Sequence, residues 1–369
     1  MKAFKKILYL FSLSGLMATV ACTEVENLEV EHIGGYNTIG DSEYYENLRA
    51  YKESAKNYGR PVAFGWFSNW SPAGAYRRGY LTSMPDSMDI VSMWSGAPGP
   101  GSITPEQKAD KEFVQKVKGT KLLEVSLLSY MGKGRTPDWV YAEVEQQAKD
   151  EGWSESQLNK ARKQARWKFW GFEGVIGSDN YYESMDRYAK ALCDSLFAGE
   201  WDGYDIDWEI GSGVFDMDGT LSRNDQLIYL VKEMNKYIGP MSDPEGKGHK
   251  LLCIDGGFTS LVQPLEGYVD YWIKQSYGSS RPSLEYGTDP KKIIITDNFE
   301  SSAASGGVLL QQAAHMPANG YKGGVGAYRF DNDYDNTPDY KWMRQAIQIN
   351  QRVFNEWKAS QSGEGESQK

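Results

Sequence analysis

At 369 residues, 40% hydrophobic and 24% charged, the chain has the length for one large domain and the composition of a globular protein, not of a disordered or fibrous one. A net charge of −10 repels nucleic acid and excludes that class of partner. His32, His249 and His315 stand far apart with no cysteine at ligand spacing, which argues against a zinc site, and three cysteines make no disulfide framework. The 12 Trp and 24 Tyr fit either a large core or a sugar-binding surface, because a pyranose C–H face packs well on an aromatic ring. Composition does not separate the two.

The chain begins with Lys2, Lys5 and Lys6, followed by a mostly apolar run from Ile7 to Ala21 and then Cys22. A membrane span needs about 20 apolar residues; this run is shorter, so residues 1–21 read as a signal peptide. The pattern resembles a bacterial lipoprotein signal, although Thr19 stands where such signals carry Leu. The resemblance implies cleavage before Cys22 and lipidation of that cysteine. The acidic stretch Thr23–Glu31 resembles the export signal of Bacteroidetes lipoproteins displayed at the cell surface. An outer-membrane lipoprotein exposed to the exterior is the expectation, with 22–55 as linker and N-terminal extension. The plainer alternatives are an ordinary signal peptide and a solvated linker.

From Pro61 onward, short apolar runs alternate with helical patterns. The runs are Val62–Trp66, Ile90–Trp94, Leu122–Leu128, Tyr204–Trp208, Leu251–Ile254, Tyr271–Ile273, Ile293–Ile295 and Gly324–Tyr328. Between them, Met185, Tyr188, Ala189, Leu192 and Leu196 share one helix face, and Leu227–Tyr237 and Trp342–Trp357 show the same period. Thr136–Trp170, charged and rich in Trp, reads as an extended helical excursion after the third strand, its tryptophans serving mainly to pack helices. Eight strand–helix units predict an α/β fold, a single catalytic (β/α)₈ TIM barrel over residues 56–357. An open doubly wound sheet is the alternative, but no Gly-rich phosphate loop follows the first strand. Residues 358–369 read as a disordered tail.

The fourth strand carries the chemistry. In Asp202-Gly203-Tyr204-Asp205-Ile206-Asp207-Trp208-Glu209, alternation places Asp205, Asp207 and Glu209 on one face. Tyr204, Ile206 and Trp208 take the other and suit packing against outer helices, so the acids point into the barrel. Three like charges there would force some to stay protonated, the condition a general acid needs. Glu209 comes last, at the C-terminal mouth where barrel active sites lie. A calcium or magnesium site is the bland alternative, but acid clusters of that kind usually sit on flexible loops.

This run matches the DGxDxDxE signature of glycoside hydrolase family 18, which holds chitinases and endo-β-N-acetylglucosaminidases and cleaves by a substrate-assisted mechanism. The resemblance implies that Glu209 protonates the glycosidic oxygen and that Asp207 holds the substrate's acetamido group. It places Asp205 beneath Asp207 as support and makes Asp202 structural. Tyr277, after the strand Tyr271-Trp-Ile-Lys-Gln275, is similar to the family's acetamido-binding tyrosine. Gln275 stands where many chitinases carry Met and is a sugar-binding candidate. Tyr328 occupies a floor position usually held by Trp, as in several endo-β-N-acetylglucosaminidases. Trp66, Asn69 and Trp94 end the first two strands and are candidate cleft residues. The chain as a whole resembles the Bacteroidetes surface lipoproteins of that group. The resemblance therefore implies an endo-β-N-acetylglucosaminidase cutting the N-glycan core, a monomer acting on N-glycans or glycoproteins, with no cofactor and no metal. The alternatives are a chitinase and a non-catalytic glycan-binding protein; the intact Glu209 counts against the latter.

The anchor is open to direct test. Cys22→Ser should move the protein from the membrane fraction to the soluble fraction, because serine forms no thioether to diacylglycerol. Labelled fatty acid on the variant would remove Cys22 as the lipid site.

Overall fold

The computed structural model describes residues 42–94, 97–99, 101–209, 221–243 and 248–362. Cys22 and the signal segment 1–21 lie outside them. The fold is that of the compact unit beginning at Tyr45.

All eight expected strands form: β1 (Val62–Phe67), β2 (Ile90–Met93), β3 (Lys121–Leu127), β4 (Gly203–Trp208), β5 (Leu251–Gly256), β6 (Tyr271–Gln275), β7 (Ile293–Asn298) and β8 (Gly324–Tyr328). Each pairs in parallel with the next, and β8 returns to β1, closing a barrel in sequence order. Closure requires β8 to come very near β1. A Cβ on Gly326 would lie 2.3 Å from the Phe64 carbonyl oxygen, so the glycines of Gly324-Val-Gly-Ala-Tyr make the approach possible.

Alternation along the strands builds two cores. Inward residues such as Val62, Phe64, Leu123, Val125, Ile273 and Ile294 fill the barrel interior. Outward ones such as Ile206, Trp208, Ile254 and Trp272 pack in the layer shared with the helices. Of those helices, α1 is Ser42–Glu53, α2 Pro105–Glu112, α3 Trp139–Glu151, α4 Glu155–Trp170, α5 Asp179–Ala198, α6 Arg223–Met234, α7 Phe299–Ser302, α8 Leu309–Ala314 and α9 Lys341–Gln361. Helix α5 starts at a Ser178 cap and buries the predicted stripe Met185, Tyr188, Ala189, Leu192 and Leu196.

Two expectations gain detail and one boundary changes. The supposed linker contains α1, whose Lys52 donates to Thr120 Oγ1 at 2.6 Å. Helix α9 runs on to Gln361, so the tail is helical past residue 357; residues 363–369 lie outside the described part. The excursion after β3 is two helices, because Gly152 takes a left-handed conformation (φ 65°) that ends α3, and Ser154 then caps α4 in a capping box with Gln157. Trp170 is buried as helix packing requires, whereas Trp139 is 69% exposed.

The long β1–β2 connection, which reaches the barrel mouth, is held down by one buried acid on α2. Asp110 accepts hydrogen bonds from Trp70 Nε1 (2.9 Å), the Leu81 and Thr82 amides (2.8 and 3.0 Å) and Thr82 Oγ1 (2.7 Å). Asp110→Ala would leave several buried donors unmatched and should destabilise the fold by about 3 kcal/mol or more. Urea unfolding of the variant measures it; a loss below about 1 kcal/mol would mean that water replaces the carboxylate.

Candidate active site

Parallel register places two acids of β4 and one of β5 side by side in the upper barrel. Asp205 lies opposite Val125 and Cys253; Asp207 lies opposite Leu127 and Asp255. All three carboxyls are enclosed, with exposures of 0% for Asp205, 1% for Asp207 and 1% for Asp255.

Their partners differ. Asp205 Oδ2 accepts from Ser92 Oγ at 2.6 Å and from Trp66 Nε1 at 3.0 Å. Asp255 Oδ1 accepts from Gln275 Nε2 at 2.7 Å. The Asp255 carboxyl also sits in hydrogen-bonding contact with both Asp205 and Asp207. Loss of hydration raises the proton affinity of all three above the usual carboxylate range. Asp207 is raised further by the charges of Glu209 and Asp205, and Asp255 by those of Asp205 and Asp207. For Asp205 the Ser92 and Trp66 bonds pull the other way. Among the described residues no group of histidine, cysteine or carboxylate side chains is arranged to hold a metal ion. Glu209, just past β4, is exposed at the mouth.

An aromatic rim completes the site. The rings of Tyr277 and Tyr328 stack with centroids 6.2 Å apart, and Trp94 meets Tyr328 edge-on at 5.3 Å. Burial, with the neighbouring carboxyls of Asp255 and Asp207, keeps the Tyr277 phenol protonated. Tyr277, Tyr328 and Trp94 are therefore brought together beside the acids, with Tyr277 38% exposed.

Other candidates take different positions. Trp66 is 1% exposed; it lies beneath the surface, supports Asp205 through its indole N–H and cannot line an open cleft. Asn69 donates to Asp331 in the connection after β8 and ties two loops together. The Gln275 amide N–H is directed to Asp255 beneath the rim. Asp202 lies at the start of β4, away from the mouth, where its Oδ2 accepts from Gln115 Nε2 (2.7 Å) and the Leu122 amide (3.0 Å). Asp255 and Ser92 are not among the sequence candidates. Asp255 has a usable signal: it follows the apolar run of β5 at the alternation that faces inward. Ser92 has none beyond its place on β2.

A family model described as glycoside hydrolase family 18, BT1044-like, matches residues 23–288. Among solved structures, a selenomethionine form of BT1044 carrying a Glu-to-Gln change is 27% identical, with a TM-score of 0.64 over 85% of this chain and 93% of that one. An endo-β-N-acetylglucosaminidase from Cordyceps militaris in apo form is 20% identical, with a TM-score of 0.54 over 83% of this chain and 95% of that one. A doubly substituted form of the Cordyceps militaris enzyme, in complex with fucosyl-N-acetylglucosamine-Asn, is 18% identical, with a TM-score of 0.54 over 85% and 97%. No curated protein matches the chain.

The raised proton affinity of Asp207 has a consequence for stability. In the folded state the group holds its proton above the usual carboxylate value near ~4, whereas the unfolded chain releases it there. Stability from this group is complete at low pH and lost as pH rises through the folded value. Asp207→Asn, neutral at every pH, escapes that loss. Its urea midpoint should exceed that of the wild type near pH 8, and the difference should vanish near about pH 4. A variant no more stable than wild type at the higher pH would show that the buried charge is fully compensated.

Proposed function

Since the chain belongs to glycoside hydrolase family 18, we propose that it is an endo-β-N-acetylglucosaminidase that hydrolyses the GlcNAc-β1,4-GlcNAc core of N-glycans with retention of configuration. The observation that carries this reading is the stacked pair Tyr277–Tyr328, with Trp94 edge-on, beside an intact set of Asp205, Asp207 and Glu209. An aromatic floor accepts the C–H face of a sugar, and the phenol of Tyr277 can donate to the acetamido oxygen. The BT1044-like match, and the likeness to solved endo-β-N-acetylglucosaminidases of nearly the same extent, support the same choice.

In this mechanism Glu209, exposed to substrate and water, protonates the glycosidic oxygen. The substrate's own acetamido oxygen attacks the anomeric carbon, and the C–O bond to the leaving sugar breaks. Asp207 accepts the acetamido N–H and balances the positive oxazolinium ion. Glu209, now a carboxylate, takes a proton from water, which attacks the anomeric carbon and reopens the ring. Asp205 remains below, anchored by Ser92 and Trp66. The same reading places the enzyme on the outer membrane through lipidated Cys22.

Glu209→Gln should lower turnover by at least about 10²-fold while glycan binding persists, because the amide keeps the size but has no acid proton. The wild type acting on homogeneous glycoproteins bearing high-mannose, hybrid or complex glycans should leave one N-acetylglucosamine on asparagine, read by intact mass. A bare asparagine, or release from chitin oligomers alone, would overturn the N-glycan assignment.

A further inference from the structure

The signature run accounts for Asp205, Asp207 and Glu209 but not for Asp255, which is as deeply buried and touches both aspartates. We infer that Asp255 carries the resting proton of this cluster and shares it in a three-centre hydrogen bond between Asp205 and Asp207, acting as a positioning residue for the Asp207 carboxylate.

Three unmatched oxygens point to a shared proton. Asp205 Oδ1, Asp207 Oδ1 and Asp255 Oδ2 are each buried and without a hydrogen-bond donor from the surrounding protein. That is one oxygen on each of three acids, of which Asp255 touches both others. An ionised carboxylate only accepts, so three ionised groups would meet as acceptor against acceptor at close range, which like charges in a dry site do not tolerate. A proton on one of them turns repulsive contacts into O–H···O⁻ bonds, which are short and strong.

Position and donor supply together decide which acid holds it. Asp205 receives two donors, the Trp66 indole and the Ser92 hydroxyl, both on Oδ2, and these favour its ionised form. Asp255 receives one, from Gln275, on Oδ1, and it faces the charges of both Asp205 and Asp207. The remaining groups turned towards it supply no positive charge. Cys253, below it on β5, is held as a thiol by burial, and on and just past β6 it faces the neutral Gln275 and the protonated Tyr277. A proton on Asp205 or on Asp207 would relieve only that acid's own contact with Asp255, whereas a proton on Asp255, the acid that touches both, relieves both contacts. The neutral Asp255 leaves the negative charge on Asp207, the group that must meet the cationic intermediate, and pins its carboxylate from the side. No proton leaves Asp255 in the reaction.

Two arms test this. In the first, the infrared difference spectrum between wild type and Asp255→Asn at neutral pH should show loss of the carbonyl band of a protonated carboxylic acid. This arm needs no turnover and holds whichever glycan is cut. In the second, on whichever substrate the protein cleaves, Asp255→Ala should lower kcat about tenfold or more with little change in KM, the effect of losing a hydrogen bond to a charged group. The Asp255→Asn amide donates as the neutral acid does; it should recover most of that loss and leave the acidic limb of the kcat–pH profile at the wild-type position. The assignment is overturned if no protonated-acid band is lost, if Asp255→Asn is as slow as Asp255→Ala, or if its acidic limb moves to lower pH, which would mean that Asp255 carries charge in the wild type. Should Asp255→Ala not fold, the infrared arm and the pH profile of Asp255→Asn decide the question alone.

Discussion

The physical constraint on which the site depends is that carboxyl groups inside a β-barrel lose their hydration. An isolated charge in such a place is too costly to persist, so it must be matched by donors, shared with a proton, or moved towards water. This protein uses all three along one line of the barrel. Asp205, fully enclosed, is matched by Trp66 and Ser92. Asp255 and Asp207, one layer higher, touch each other, and Asp255 also touches Asp205. Glu209, two residues further on, reaches the exposed mouth. The rise of a strand separates successive acids on one face by about 7 Å, so a single strand carries a gradient from dry to wet. Groups of the same chemistry thereby receive different properties from their height in the barrel.

The same geometry explains what could be read from the sequence. Apolar runs revealed the strands, because every barrel strand is covered on both faces. The run 202–209 stood out because acids at alternate positions are foreign to such a strand. Asp255 is a single acid at the end of an ordinary apolar run; its meaning comes from register, which sets it opposite Asp207 and cannot be read from either strand alone. Ser92 is hidden for the same reason. Trp66 sits one layer lower than the end of its apolar run suggests: β1 continues to Phe67, so the indole lies under the acids and not over them. The break between α3 and α4 was present in the sequence as Gly152 and Ser154, but charge and helix propensity on both sides masked it.

Around the mouth, the connections after β1 and β8 are tied to each other. Asp331, itself buried, accepts from the Ser68 amide at 2.9 Å and from the Asn69 side chain. Arg78 pairs with Asp335 at 2.9 Å, and Asn332 Nδ2 donates to the Phe299 carbonyl just after β7. Tyr328 ends β8 immediately before this knot. Its ring therefore leaves a backbone fixed on both sides, by the β1 and β7 ladders below and by the tied loops above. A binding surface made of rings needs such support, since a stacked sugar gains little from a ring that must first be ordered.

The aromatic excess that composition left undecided resolves residue by residue. Trp201, Trp208 and Trp272 are enclosed, and they pack the barrel wall and its helices. Trp66 is enclosed too, but its N–H serves Asp205, so the same ring fills space and sets a charge. Trp94, Tyr277 and Tyr328 gather at the rim with partly open faces. Core and sugar site are thus not competing explanations. Successive inward positions pass from Phe64 to Trp66, and Trp66 in turn meets Tyr328 with centroids 6.2 Å apart. The rim is the upper end of the packed interior. A ring substituted in the lower layers would shift the ring above it, which couples stability of the interior to the shape of the cleft more tightly than loops alone could.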